Sequence, residues 1–169
     1  MGITMAKIKT SPPKKMKRIQ TPLNASRKRR FVRLDVAAPF ELNRLNLPPK
    51  KGRDLIDPRT LHGVILNISG SGVLSLIDMK LKVDSYVVIC LNLNGIEKIE
   101  NVLGKVKRVE KLEYSEYLTG IEFTYPQTLY SEFPLDGLRK NEALFSFDEQ
   151  IQRLILRYIF QRQITNKAN

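Results

Sequence analysis

Short apolar runs separated by turn residues fill the chain from Leu34 to Tyr125. In YLTGIEFTY (117–125), Thr119, Ile121, Phe123 and Tyr125 alternate with Leu118, Gly120, Glu122 and Thr124. That period of two predicts a strand with one buried and one solvated face. LDVAAPFELNRL (34–45) predicts a first strand, interrupted or bulged at Pro39, because proline brings no N–H to a ladder. LPPKKGRDLIDPRT (47–60) reads as a polar, proline-containing loop. HGVILNIS and GVLSLID are two apolar runs divided by the turn SGSG, and SYVVICLNL follows them. Asn94-Gly95 is then a strong hairpin signal. ENVLGKVKRVEK (100–111) and the 117–125 segment complete about six strands. Closely spaced strands joined by hairpins predict an antiparallel barrel or sandwich, in which closure removes exposed edges.

The chain ends in a helical pattern. SFDE (146–149) has the form of a capping box, with Ser146 at the N-cap and Glu149 three residues on. Phe147, Ile151, Leu154, Ile155 and Tyr158 then recur at helical spacing and supply a face to pack on the barrel, with Leu156 and Phe160 roughly opposite. The predicted organisation is a basic flexible tail over 1–25, a mainly β domain with its C-terminal helix over 26–163, and a frayed end over 164–169.

Charge changes this picture at one place. The 169-residue chain carries +12. Residues 1 to 33 hold eleven lysines and arginines and no acid, which leaves eighteen basic and seventeen acidic residues for the rest. The domain is therefore nearly neutral and the basicity belongs to the tail. That tail reads as a solvated linker, with attraction to an anionic membrane surface as its functional alternative. The apolar runs are too short to span a membrane and no signal-peptide pattern opens the chain, so a cytoplasmic protein is expected. Cys90 is the only cysteine and His62 the only histidine. An internal disulfide and a cysteine-based zinc site are excluded.

Catalysis finds little support. His62 shows no partner pattern for a triad. Asp54, Asp57, Asp78 and Asp84 lack metal-ligand spacing. No helix follows the glycine-rich turns, so they make no phosphate-binding loop. No enzyme, no cofactor and no metal are expected.

Two short motifs are more informative. In NISGSG (67–72), Asn67 and Ser69 stand two apart at a strand end and so share a side. They offer a carboxamide and a hydroxyl beside backbone bared by Gly70 and Gly72. In RRFVR (29–33), Arg29 and Arg33 are four apart, which places them on one side of either an extended or a helical segment. Paired arginines fork onto phosphate oxygens or onto the O6/N7 edge of guanine.

An RxxxR pair just before the first strand, an NxSxxG at the end of the second and a barrel with a terminal helix together resemble the PilZ domain family, bacterial receptors for cyclic di-GMP. The resemblance covers about residues 26 to 163; LGKVKRVE (103–110) and YLTGIEF (117–123) fall where the family has later strands. It implies a six-stranded antiparallel β-barrel with a C-terminal helix. It further implies that Arg29 and Arg33, with Arg30 as neighbour, fold over the ligand, while Asn67, Ser69, Gly70 and Gly72 form its floor. Lys28 stands at a flanking position that bears on whether one or two ligand molecules bind. A lone receptor domain then implies a downstream protein partner. Two alternatives remain beside this one: an adaptor of the same fold that binds protein and no nucleotide, and a nucleic-acid-binding barrel that grips phosphates with its tail. The near-neutral domain and the absence of a basic-aromatic stripe argue against nucleic acid.

Overall fold

The computed structural model describes residues 30–96, 98–134, 138 and 144–168. Its six strands are β1 (Arg33–Leu45), β2 (Ile56–Ser69), β3 (Gly72–Ile77), β4 (Tyr86–Leu91), β5 (Ile99–Lys111) and β6 (Tyr117–Phe123). Among the described residues, α1 (Pro126–Glu132) and α2 (Glu149–Ala168) follow them. All strand pairs are antiparallel, and the order β1-β2-β3-β6-β5-β4 closes on itself. The closing ladder runs from Phe40↔Leu91 to Arg44↔Val87. The fold class predicted from the sequence is therefore the one observed.

Two apolar clusters flank β4. Val87, Ile89 and Leu91 point into the barrel with Leu42, Ile65, Ile68, Val102 and Val106, and α2 adds Ile155, Tyr158 and Ile159 to the same cluster. Tyr86 and Val88 point the other way, into a second cluster with Leu103, Leu129 of α1 and Phe145. β4 reads as an almost unbroken apolar run because both of its faces are covered. Removing one of the solvent-free leucines, such as Leu42 or Leu103, would cost about 2–5 kcal/mol.

Three expectations are corrected. Pro39 sits in register opposite Val64, and the irregularities in β1 lie on either side of it, between Asp35 and Ala38 and between Asn43 and Leu45. The proline is tolerated there because the β1–β4 ladder begins only at Phe40. The loop read over 47–60 ends early, since β2 starts at Ile56. After Ile56 its opening residues are mostly polar and are held by side chains: the Asn43 amide donates to the Asp57 carbonyl (3.1 Å) and to Thr60 Oγ1 (3.0 Å), and Arg44 pairs with Asp57 at 2.6 Å. Finally, Asp148 rather than Ser146 caps α2. Its carboxylate accepts from the Ile151 N–H at 2.8 Å. Ser146 instead bridges β5, accepting from the Leu103 N–H at 2.7 Å and donating its own N–H to the Asn101 carbonyl at 2.6 Å. The helix runs on to Ala168, past residue 163.

Candidate functional site

The register of β1 on β2 decides where the two motifs meet. Arg33 stands opposite Ser69 and Asp35 opposite Asn67. Asn67 and Ser69 would face the core if β2 alternated regularly, since Leu61 and Ile65 are buried. An extra residue in β2, between Ile65 and Asn67, inverts the alternation against β3. Ile65 and Ile68 are therefore both solvent-free, while Asn67 is left at the surface. Arg33, Asn67, Ser69 and Gly72 line one open groove of about 260 Å³. Arg29 and the tail before it lie outside the described residues.

The turn between β2 and β3 uses part of its motif on itself. Ser69 Oγ accepts from the Ser71 N–H (3.3 Å), lies 3.2 Å from Ser71 Oγ and can donate to the Gly72 carbonyl (3.3 Å). A Cβ at Gly72 would stand 2.2 Å from the Ile121 carbonyl oxygen, so glycine is needed there for the close approach of β6. At Gly70 a Cβ would meet Leu156 of α2 at 2.8 Å and Phe31 at 3.1 Å, and Gln152 of α2 donates to the Gly70 carbonyl at 2.8 Å. Gly70 thus seats the helix. Leu156 belongs to that contact, whereas Phe160 is 57% exposed.

Three groove residues escaped the sequence reading. Ser71 and Glu122 line the groove, as does Arg108 of β5, in register with Gly120. Simple alternation would send Arg108 inward with Val106. One extra residue in β5, between Val106 and Arg108, turns it outward, so Lys107 and Arg108 are both exposed. No local sequence signal marks that bulge. Arg108 is ion-paired with Glu110.

Ser71 and Glu122 also line a second, adjoining groove of about 380 Å³. Arg30, Phe31, Lys105, Lys107, Tyr125 and Phe147 are among its walls. Arg30 lies over the Phe31 ring, 5.3 Å from its centroid, and Tyr125 packs on Phe147 at 5.2 Å. Lys105 donates to Glu132 of α1 at 2.8 Å, which holds that carboxyl below its usual range and the ammonium above its own. Neither Arg30 nor Arg33 has an ion-pair partner among the described residues. The arrangement can receive a polyanion carrying aromatic groups: arginines for phosphate, an amide for a base edge, and aromatic rings nearby.

His62 stands exposed on β2 with Nδ1 3.8 Å from Glu41. Burial pushes the nearby Cys90 thiol up. Among the described residues no helix is long and apolar enough to cross a membrane.

No protein-family model and no curated protein matches this sequence. Among solved structures, the chain is similar to the Bacillus subtilis inhibitor of motility, MotI/DgrA, at 17% identity and a TM-score of 0.53, over 92% of this chain and 57% of that one. It is also similar to YcgR from Escherichia coli in complex with c-di-GMP, at 14% identity and a TM-score of 0.54, over 83% of this chain and 49% of that one. The chain thus spans about half the length of both. At such identities the likeness is one of fold.

Proposed function

From the PilZ-like fold that this chain has in common with both of those structures, we propose that it is a receptor for cyclic di-GMP and acts through a protein partner. The observation that carries this reading is the meeting of Arg33 with Asn67 in one groove, enforced by the β1–β2 register and the β2 bulge. The presence of c-di-GMP in the YcgR structure supports it.

The ligand presents two phosphates and two guanines. In this reading Arg33 and Arg108 face the phosphates and the O6/N7 edge of a guanine, and Asn67 meets a second polar edge. Arg29 and Arg30 close over the ligand from the side where the chain enters β1. Ser69, Gly70 and Gly72 hold the floor in shape and need not touch the ligand themselves. Hydrogen bonds to charged groups contribute about 1.5–3 kcal/mol each. Four or five of them at the upper part of that range, together with arginine stacking, exceed the roughly 8 kcal/mol of a micromolar complex and leave a margin for fixing the arginine segment. Fixing that segment over the groove is the proposed output, since Phe31 within it lies beside Gly70 and the α2 residue Leu156.

Calorimetric titration with cyclic di-GMP tests this directly. Saturable binding at micromolar concentration or below is expected, weakened at least tenfold by Arg33→Ala and by Asn67→Ala. No heat and no shift in melting temperature with excess ligand would refute the receptor and leave the protein-binding adaptor of the same fold.

A further inference from the structure

Among the described residues, the two adjoining grooves are lined by five basic side chains, Arg30, Arg33, Lys105, Lys107 and Arg108, and by a single acid, Glu122, which belongs to both. A carboxylate there is costly for a site that is to receive phosphates, because like charges repel. The usual structural reason for such an acid is to neutralise a neighbouring cation. Yet Lys105 is taken by Glu132 and Arg108 by Glu110, and none of the other three, Arg30, Arg33 and Lys107, is ion-paired with Glu122. No hydrogen bond or ion pair among the described residues engages the Glu122 carboxylate; only its backbone carbonyl accepts, from Thr124 Oγ1 at 3.2 Å. Its place on the strand is fixed all the same, with the side chain exposed. Ile121 and Phe123 on either side are buried, so Glu122 is driven to the outer face of β6, in register with Gly72 on one flank and Lys105 on the other.

We infer that Glu122 reads the base: its carboxylate accepts the N1–H and N2–H₂ donors of a guanine and makes the site selective for guanine. The inference rests on the cyclic di-GMP reading and adds to it the residue that sets base identity. An ionised carboxylate is an acceptor with two oxygens, and it matches two parallel donors as it matches the fork of an arginine. Guanine offers that donor pair on the edge adjoining O6, while O6 and N7 themselves suit an arginine. Adenine presents a ring nitrogen acceptor in place of N1–H, which the carboxylate would repel. A groove with arginines on one side of the base and Glu122 on the other therefore reads guanine from both edges. The position between two grooves fits one base seated in the first and room for further aromatic surface beside Phe31 and Tyr125 in the second.

The test compares cyclic di-GMP, cyclic di-AMP and the inosine analogue cyclic di-IMP, which lacks the 2-amino group, by calorimetry on the full chain. Wild type should favour cyclic di-GMP over both. Glu122→Ala should weaken cyclic di-GMP roughly ten- to a hundredfold and bring its preference over the inosine analogue close to one. Glu122→Gln, which retains one acceptor oxygen, should fall between. Simple charge balance has the opposite signature, since removing an acid from a cationic groove tightens every dianionic ligand. Equal or tighter binding of cyclic di-GMP by Glu122→Ala, or a base preference unchanged in both variants, overturns the role of Glu122 and leaves the receptor standing. Failure of folded wild type to bind cyclic di-GMP overturns both together.

Discussion

β1 carries an arginine near each end, and the two are treated differently. Arg44 has its acid in place: Asp57 stands 2.6 Å away on the polar start of β2, and its carboxylate also accepts from the Arg59 N–H at 3.0 Å. Arg33, eleven residues earlier on the same strand, has no acid among the described residues and opens onto a groove. The first arginine ties two strands together where apolar alternation is missing. The second has no such tie among the described residues, and in the proposed reading its charge is kept for the ligand.

The sharpest way to break this contrast is at Gly72, where site and scaffold coincide. Gly72→Ala would force a Cβ against the Ile121 carbonyl, and a loss of about 1–3 kcal/mol is expected in thermal or denaturant melting, with ligand binding falling alongside. The two arginines should then separate cleanly. Arg33→Ala is expected to cost about 1.5–3 kcal/mol of cyclic di-GMP affinity with an unchanged melting temperature. Arg44→Ala should leave the titration as it was and lower stability by about 1 kcal/mol or less, since its side chain is 40% exposed. An Arg44 variant that lost binding would erase the distinction. Raising salt from about 0.05 to 0.3 M should weaken ligand binding severalfold, because exposed charges are screened within a few ångströms at high ionic strength. The smallest effect lies in pH. The Arg59 N–H, with Arg44, holds the Asp57 carboxyl below its ordinary 3.8. A depressed folded value means that its stabilisation is full above the unfolded value and lost as pH falls through the folded one. Asp57→Asn should therefore flatten the acid limb of a stability profile by well under about 1 kcal/mol.

Much of the barrel was legible because period two is a direct imprint of a one-sided face. β3, β4 and β6 lie where the apolar runs place them, and the SGSG turn joins β2 to β3. What escaped was held by interactions that leave no periodic trace. The polar start of β2 depends on Asn43, Arg44 and Asp57 rather than on apolar residues. α1 begins at Pro126 directly after Tyr125, which reads as the last residue of a strand, and proline at the first helical turn signals the change only when the strand is known to have ended. In the site, Arg33, Asn67, Ser69 and Gly72 line one groove, Arg30 lines the adjoining one and Gly70 seats α2. Arg108 was hidden by a one-residue bulge, and the same kind of bulge turns Asn67 out of the core. An insertion of a single residue in a strand inverts which face a side chain serves, and periodicity alone cannot locate it.

The ladder that closes the barrel, β1 against β4, is short. β1 pairs with β2 along its length, but with β4 only from Phe40 to Arg44. Among the described residues no strand pairs with the other edge of its first half. There Leu34 to Ala38 share a cleft with Tyr158, Arg162 and Asn166, so α2 stands guard where a seventh strand would otherwise fit. An unguarded edge is a template on which a foreign strand can grow. The terminal helix thus has a protective duty apart from any signalling: a chain cut before Glu149 would bare both an apolar opening and a hydrogen-bonding edge, the two ingredients of strand exchange and aggregation.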